Sequence, residues 1–498
     1  MGLASAALSA QSGLNSITAE ASVLSRNIAG ANDTGIYSLK TANVISALGG
    51  SQIASITRAS NQAVFDNLLS ATSANAAQQA LSLGLDQLNQ TIGNVANGSS
   101  STNSATTSPQ ALLTNFTNAL QTYEASPSNS TLAAAAVNAA ATLAEGLNSA
   151  TATVSQVREQ ADAGIAASVQ SINSLLTQFQ AVNTQIVSGT ATGADVADAQ
   201  DTRDNILTQL AQQIGITTTA NPNGGMNIYT DGGVTLFQGG TARTVTFSPT
   251  TTYDSAATGN AVYVDGVPAT GGSAAMPSTS GKLVGLTTLR DNIAVTYQAQ
   301  LDNVAGGLIT EFAESDQVGT GPNLPGLFTT PGATSLPTGI TGLAGQIVVN
   351  PAVDPNQGGT ALLLRDGGIS GNPAYVYNTT GDASYQGRLS QLLTNLSMPT
   401  TFSAGGGITT SATLDGYATA SVSWLEAQRS NAASQSSYQS TLLSAATTAL
   451  SNATGVNLDT EMSKMLDLEN SYSATAKLLS TVDSMFGTLL TDLGNVPA

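Results

Sequence analysis

Histidine and cysteine are both absent from this 498-residue chain. Without histidine the chain lacks the commonest general base, the commonest metal ligand and the middle member of a Ser-His-Asp triad. Without cysteine it has no disulfide, thiolate metal site or cysteine nucleophile. Positive charge is scarce as well: 13 Lys and Arg stand against 31 Asp and Glu, for a net charge of −18. Nucleic acid and anionic membrane surfaces select basic patches, so neither is an expected partner. Aromatics are 4% of the chain, with a single Trp, whereas Gly, Ala, Ser, Thr and Asn abound. The closest approach to a membrane-spanning run, residues 132–144, is short and interrupted by Asn138 and Thr142, and no membrane insertion is expected. No positive n-region precedes the first charged residue, Glu20, so any export is expected to use a route that reads no cleavable leader. P-loop, nucleophile-elbow and dinucleotide motifs are missing. The chain therefore reads as a non-enzyme, with no catalytic residue, cofactor or metal site expected.

What is present is organised from the two ends. Leu458, Met462, Met465, Leu468, Tyr472, Leu479, Val482, Phe486 and Leu489 fall three, four or seven residues apart, one face of a helix running from about Gly455 to Leu490. Asn457 is a good N-cap, and Asp459 and Glu461 put negative charge in its first turn. Glu461, Lys464 and Asp467 belong to the opposite face, which is expected to be solvated. At the other end Leu3, Ala7, Ala10, Leu14, Ile17, Ala21, Leu24 and Ile28 repeat at 4-3 spacing, the seam of a coiled coil. The rest of that helix is Ser, Asn, Gln, Thr and Gly, weak helix formers, and alone it would be marginal in water. The two ends are expected to pair, or to fold in an assembly. A free chain would hold them loosely.

Between the ends the chain reads mainly α with an inserted β domain, an α+β organisation. The first helix stops in the turn-rich stretch 29–37, and residues 40–60 are extended. Helices follow at 59–95, 110–123, 130–149, 150–187 and 198–214, with a polar loop at 97–109. Residues 216–281 alternate in short runs punctuated by Gly-Gly, Asp-Gly and Asn-Gly pairs, a small antiparallel module. Residues 283–312 return to helix, 313–345 form a Gly/Pro loop or small outer module, and 346–349 a short strand. Two more helices cover 388–396 and 414–451. The expected domains are a terminal coiled coil (1–35 with 455–498), a helical-bundle rod (36–215, 282–312 and 346–454), the β-rich insertion (216–281), placed distally, and the outer loop (313–345).

Two constellations carry charge. Asp195, Asp198, Asp201 and Asp204 recur every third residue. A hard cation is one reading. On a helix, however, such steps drift around the axis, so convergence is not expected and a local or intersubunit salt bridge, with Arg203 as one partner, is favoured. Arg26 and Asn27 end the first helix. They serve either to complement its dipole or to make an intersubunit contact. Trp424 is expected in the core.

The stretch Ser25-Arg-Asn-Ile-Ala-Gly-Ala-Asn-Asp-Thr-Gly-Ile-Tyr37 resembles the N-terminal signature of the flagellar rod, hook and hook-associated axial proteins. Gly455-Val-Asn-Leu-Asp-Thr-Glu461, Tyr472, Ala476-Lys477 and Ser480-Thr-Val-Asp-Ser-Met-Phe486 resemble the C-terminal signature of the same family. The interior is similar to its hook-associated branch, in Ala199-Gln-Asp-Thr-Arg-Asp-Asn-Ile-Leu207, Gly281-Lys-Leu-Val-Gly-Leu-Thr-Thr-Leu-Arg-Asp291 and Gln346-Ile-Val-Val-Asn-Pro351. The resemblance implies a structural adaptor at the hook–filament junction, exported unfolded through the flagellar type III apparatus from the cytoplasm to the cell exterior. Its implied partners are copies of itself in an axial ring, the hook protein, the second junction protein and an export chaperone on the C-terminal helix. Leu3, Leu14, Ile17, Leu24 and Ile28, with Leu458, Met462, Met465, Tyr472, Leu479, Val482, Phe486 and Leu489, are the expected assembly seam. A hook or rod subunit of the same family, or another secreted helical structural protein or adhesin, are the alternative readings.

Overall fold

A computed structural model describes residues 2–33, 35–47, 50–93, 107–251, 253 and 257–494. Most of the polar loop expected at 97–109 lies outside them. Helix α1 (Leu3–Gly30) is followed by an antiparallel hairpin, β1 (Lys40–Ala47) and β2 (Gly50–Arg58), whose register sets Lys40 opposite Arg58. Helix α2 (Gln62–Leu88) is capped by the Asn61 side chain and runs on into a tight turn, Asn89–Ile92. Helix α3 (Pro109–Glu124) has Ser108 as N-cap and Pro at its first position, the start signal its sequence carries.

Helix α4 (Ser130–Thr192) is continuous for 63 residues where the sequence reading divides it at residue 149. No proline stands in it, and the buried stripe passes through Leu143, Leu147, Ala150 and Val154 without a change of spacing. Gly146 does not break it but serves close packing, since a Cβ there would run into the Leu112 side chain of α3. At about 1.5 Å per residue the helix spans roughly 95 Å. It begins at Asn129, whose side chain accepts from the N–H groups of Thr131 and Leu132, and ends at Gly193. The short α5 (Ala197–Gln213) turns back along it.

The β insertion is two small sheets rather than one. Strands β3 (Ile216–Ala220), β4 (Met226–Thr230), β5 (Thr235–Gln238) and β6 (Thr241–Ala242) form an antiparallel sheet in that order. Strands β7 (Val245–Thr246), β8 (Tyr263–Val264) and β9 (Val267–Pro268) form a second. Both lie along the C-terminal half of α4. Phe237 packs edge-on against Phe179 at 4.9 Å between ring centres, and the Asn183 side chain accepts from the Met226 N–H. Gln62, at the start of α2, donates to Thr218. The insertion thus flanks the part of the rod nearest the terminal helices, and the distal position expected for it is corrected.

The chain returns through α6 (Lys282–Thr288), a single π-helical turn (Leu289–Ile293) and α7 (Ala294–Glu311). The wider π turn swings Arg290 inward, a local feature that helical periodicity does not reveal. Arg290 pairs with Asp162 of α4 at 2.5 Å and with its neighbour Asp291, and donates to the Asn260 carbonyl. That group pins the insertion to the rod. The far end of the rod is built by α3, the start of α4 and residues 313–397. There β10 (Phe328–Thr329) pairs with β11 (Val348–Val349), beside α8 (Leu363–Asp366) and α9 (Gly387–Ser397). Phe116, Phe312 and Phe328 meet there at 5.2–5.5 Å between ring centres. A last two-residue pairing, β12 (Thr400–Thr401) with β13 (Ser411–Ala412), precedes α10 (Leu414–Thr454), which packs along α2 and leads to α11 (Leu458–Gly494). Trp424 is half-buried against the core.

Tight approach of α6 to α2 depends on Gly285. A Cβ there would stand 2.2 Å from the Ala77 carbonyl oxygen, and backbone cannot step aside as a side chain tip can. Gly285→Ala is therefore expected to destabilise the rod by about 1–3 kcal/mol despite alanine's better helix propensity, read as a lower urea midpoint.

Candidate assembly site

The terminal helices run antiparallel. Gly13 faces Thr475, its Cβ position 3.6 Å from that side chain, and Asn27 meets Glu461. Pairing uses one strip of α11 and leaves the others open. Of the seam residues, Leu24 and Val482 are buried, and Leu3, Leu14, Ile17, Ile28, Met465, Leu479 and Phe486 are half-buried. Leu458, Met462, Tyr472 and Leu489 are exposed, against the expectation that they share the seam. The apolar set of α11 is wider than a single partner helix can cover. Leu466 and Leu478 are bare as well. Helix α1 has a second covered face, toward the hairpin, where the Ser12 hydroxyl accepts from the Ser51 N–H.

Asn27 closes the pair at its base with all four of its amide hydrogen-bonding positions used. Its Nδ2 donates to the Lys40 carbonyl and to Glu461 Oε2, each at 2.8 Å. Its Oδ1 accepts from the Lys40 N–H at 3.0 Å and from the Tyr37 hydroxyl at 3.1 Å. One amide therefore ties α1 to the start of β1 and to the first turn of α11. Tyr37 folds back under Gly30, where a Cβ would lie 2.5 Å from its ring, so a bulkier residue would expel it. The Lys40 ammonium sits 3.6 Å from the centre of the same ring. Glu461, expected on the solvated face, is instead 2% exposed. Its other oxygen takes Lys464 at 2.8 Å. The sequence gives no local sign of this, because Glu461 is buried by a residue from the opposite end of the chain.

The four aspartates do converge, on three cations. Arg26 Nη1 reaches Asp195 at 3.1 Å and Asp198 at 3.0 Å. Lys40 Nζ lies 2.6 Å from Asp198 and 2.9 Å from Asp201. Arg58 takes Asp201 at 3.0 Å and Asp204 at 2.5 Å. Asp201 thus lends one oxygen to each cation at the base of the hairpin. Steps of three drift around a helix, but Arg26, Lys40 and Arg58 come from three different elements, α1, β1 and β2, and each bridges two successive aspartates. Arg26 and Asn27 are both engaged within the chain. Arg203 pairs with its neighbour Asp204 at 3.7 Å, as expected, and also donates to the Gly224 carbonyl at 2.8 Å, holding the β3–β4 turn. Among the described residues no set of three or more His, Cys, Asp or Glu is able to hold a metal ion.

Burial alone would raise the Asp198 carboxyl, but the Lys40 hydrogen bond and charge, with Arg26 behind them, outweigh it and hold it below the ordinary 3.8. Asp204 is pushed the other way by burial, against the pull of Arg58 and Arg203.

Two family profiles match the chain. "Flagellar hook-associated protein FlgK helical domain" fits residues 99–326, and "Flagellar basal body rod FlgEFG protein C-terminal" fits residues 449–492. Over these two stretches the chain is similar to flagellar hook-associated and basal-body rod proteins. Flagellar hook-associated protein 1 of Escherichia coli (strain K12) is 32% identical over 162 residues, 32% of this chain and 28% of that protein. Its namesake in Salmonella typhimurium is 30% identical over the same shares. The chain thus spans 28% of the length of the curated relatives it matches. A solved structure of the flagellar hook junction protein FlgK from Burkholderia pseudomallei overlaps 53% of this chain and 46% of its own, at 22% identity and a TM-score of 0.41. The matched C-terminal stretch begins in the last turns of α10 and holds nearly all of α11, so it includes Glu461 and the exposed apolar residues. Asn27 and the cations of the joint lie outside both matched ranges.

Replacing Asn27 by Ala would leave the buried Glu461 carboxylate and both Lys40 backbone groups short of a partner. Loss of about 3 kcal/mol from the terminal unit is expected, read as faster amide exchange in residues 3–30 and 458–470 with the Trp424 unfolding transition unchanged. The pH response follows from the lowered Asp198 value. Its contribution is fully present above 3.8 and is lost as pH falls through the lower folded value, whereas Asp204 counts against the fold at neutral pH and is relieved by acid. Attachment of the hairpin, followed by NMR shifts of residues 40–58, should therefore hold from about pH 7 to 5 and fail only below about 3.8.

Proposed function

We propose that this chain is a structural adaptor of the bacterial flagellum that joins the distal end of the hook to the filament. The observation that carries the reading is the hook-associated helical domain at 99–326 in a chain whose two ends pair and leave an apolar face uncovered. Met462 at 56% exposed, Leu466 at 61% and Leu490 at 69% would be a liability on a solitary protein. In an axial ring they become the contact between neighbouring copies, so the seam residues and this outward face together form the assembly site. The expectation that the free chain holds its ends loosely is revised: each helix has the other as partner, and the cost met on docking is that of covering the outer face. That face needs shielding before export, which fits a small chaperone on α11 and a type III route from the cytoplasm to the exterior. Among the described residues no helix is long and apolar enough to cross a membrane.

Four units divide the work. The terminal helices form the inner tube, and the hairpin, which packs on α1, goes with them, moving that boundary from residue 35 to about 59. The rod makes an outer layer. The β insertion and the far module at 313–397 face solvent. An adaptor needs two unlike end surfaces, one for the hook protein and one for the second junction protein, so its specificity is a difference of affinities.

Electron microscopy of cells lacking this chain, with flagellin assayed in the medium, tests the placement. Hooks without filaments and flagellin in the medium are the expected result; missing hooks would move the protein to hook or rod, and intact filaments would refute the reading. Within that background, Leu466→Asp is expected to leave the circular dichroism of the purified chain unchanged while failing to restore filaments. Normal filaments from this variant would remove the outer face of α11 from the assembly site.

A further inference from the structure

We infer that the aspartate ladder is a two-stage joint: Asp201 is a fixed pin for the base of the hairpin, and Arg26 on Asp195 and Asp198 is a releasable latch that sets the direction of the α1–α11 pair on the rod. The first observation is what the joint lacks. Among the described residues one continuous apolar core runs from Phe65 of α2 through α4, the β insertion and the far module to Leu450 of α10, and it contains no residue of α1, β1, β2 or α11. The buried apolar residues of the terminal unit, Ala10, Val23, Leu24 and Val482, lie outside that core. Its attachment therefore rests on charge pairs and a few backbone bonds, among them Leu39 N–H to the Thr454 carbonyl.

The second observation is that the rungs differ in their access to water. The Lys40 side chain is fully covered and Asp201 is 9% exposed, so salt screens that rung little. Arg26 is 32% exposed and faces Asp195 at 30% and Asp198 at 63%. A pair of that kind is worth little and is weakened by salt. Lys40 and Arg58 sit opposite each other in the hairpin register, so the single Asp201 carboxylate holds both strands at one point. Rotation about that point separates Arg26 from its aspartates first. In the adaptor, a role that rests on the proposed function, such a pivot lets one chain meet two lattices that differ in the angle between inner and outer layers.

The chain has no cysteine, so two introduced ones can be spin-labelled without background. Ser171→Cys on α4 with Ser463→Cys on α11 spans the joint; Ser22→Cys with Ser480→Cys stays inside the terminal unit. Dipolar distance distributions of the full chain are measured at about 50 mM and about 1 M NaCl, with and without Arg26→Gln or the pair Asp195→Asn and Asp198→Asn. The expected result is a narrow joint distance at low salt that widens about twofold at high salt and in either variant, with the internal distance unchanged. A joint distance that stays narrow in both variants and at high salt overturns the latch. A broad internal distance overturns it as well, since no rigid unit would be there to turn. The measurement uses isolated chain, so its failure leaves the flagellar reading standing, and intact filaments in cells lacking the chain would leave the joint standing.

Discussion

One carboxylate stands at the centre of the joint between the two parts of this molecule. Asp201 gives an oxygen to Lys40 and an oxygen to Arg58, and those two cations are the paired residues at the root of the hairpin. Everything on the terminal side depends on that root. Helix α1 rests on the hairpin, α11 rests on α1, and Asn27 binds all three at the level of Lys40. Burying a lysine is costly unless it is paired, and a pair broken on one side costs about 3–5 kcal/mol. The chain arranges Lys40 so that its ammonium meets two carboxylates and an aromatic face at once.

The rod follows a different rule. It is held by apolar burial along α4, whose inward residues face α3 and α5 to α7 at successive levels. Polar anchors then fix what burial leaves free to slide. Arg290 on Asp162, Asn183 on Met226 and Asn173 on Val245 each tie the β insertion to a particular turn of α4. The contrast in construction separates the molecule into a body with one hydrophobic core and a terminal unit attached to it by charge.

Helical periodicity makes most of this legible. The stripes of α1, α4 and α11, the extended stretch at 40–60 and the alternating runs of the insertion all follow from spacing alone, whereas the pairing of β1 with β2 does not. The division of α4 at residue 149 arises from its alanine-rich stretch, where small residues blur the stripe. The joint is hidden for another reason. Asp195 to Asp204 read as surplus charge when weighed against their own helix, but their partners come from residues 26 to 58, far away in sequence. The signal that can find them is scarcity. The chain has only 13 cations in 498 residues, so each is a candidate partner for carboxylates spaced evenly elsewhere, and Arg26, Lys40 and Arg58 are the first three along the chain. Glu461 and Asn27 give no such sign, because a residue that looks solvated on its own helix can be buried by another.

The length of α4 has a geometric consequence. The helix reaches from the Phe116–Phe312–Phe328 cluster to Gly193, two residues before Asp195. It is a lever with its fulcrum at the aspartate ladder and an arm of roughly 95 Å. A turn of about 5° at the fulcrum moves the far module by about 8 Å, nearly the width of a helix. Small electrostatic differences at one end are thereby converted into displacements large enough to change which surface is presented at the other.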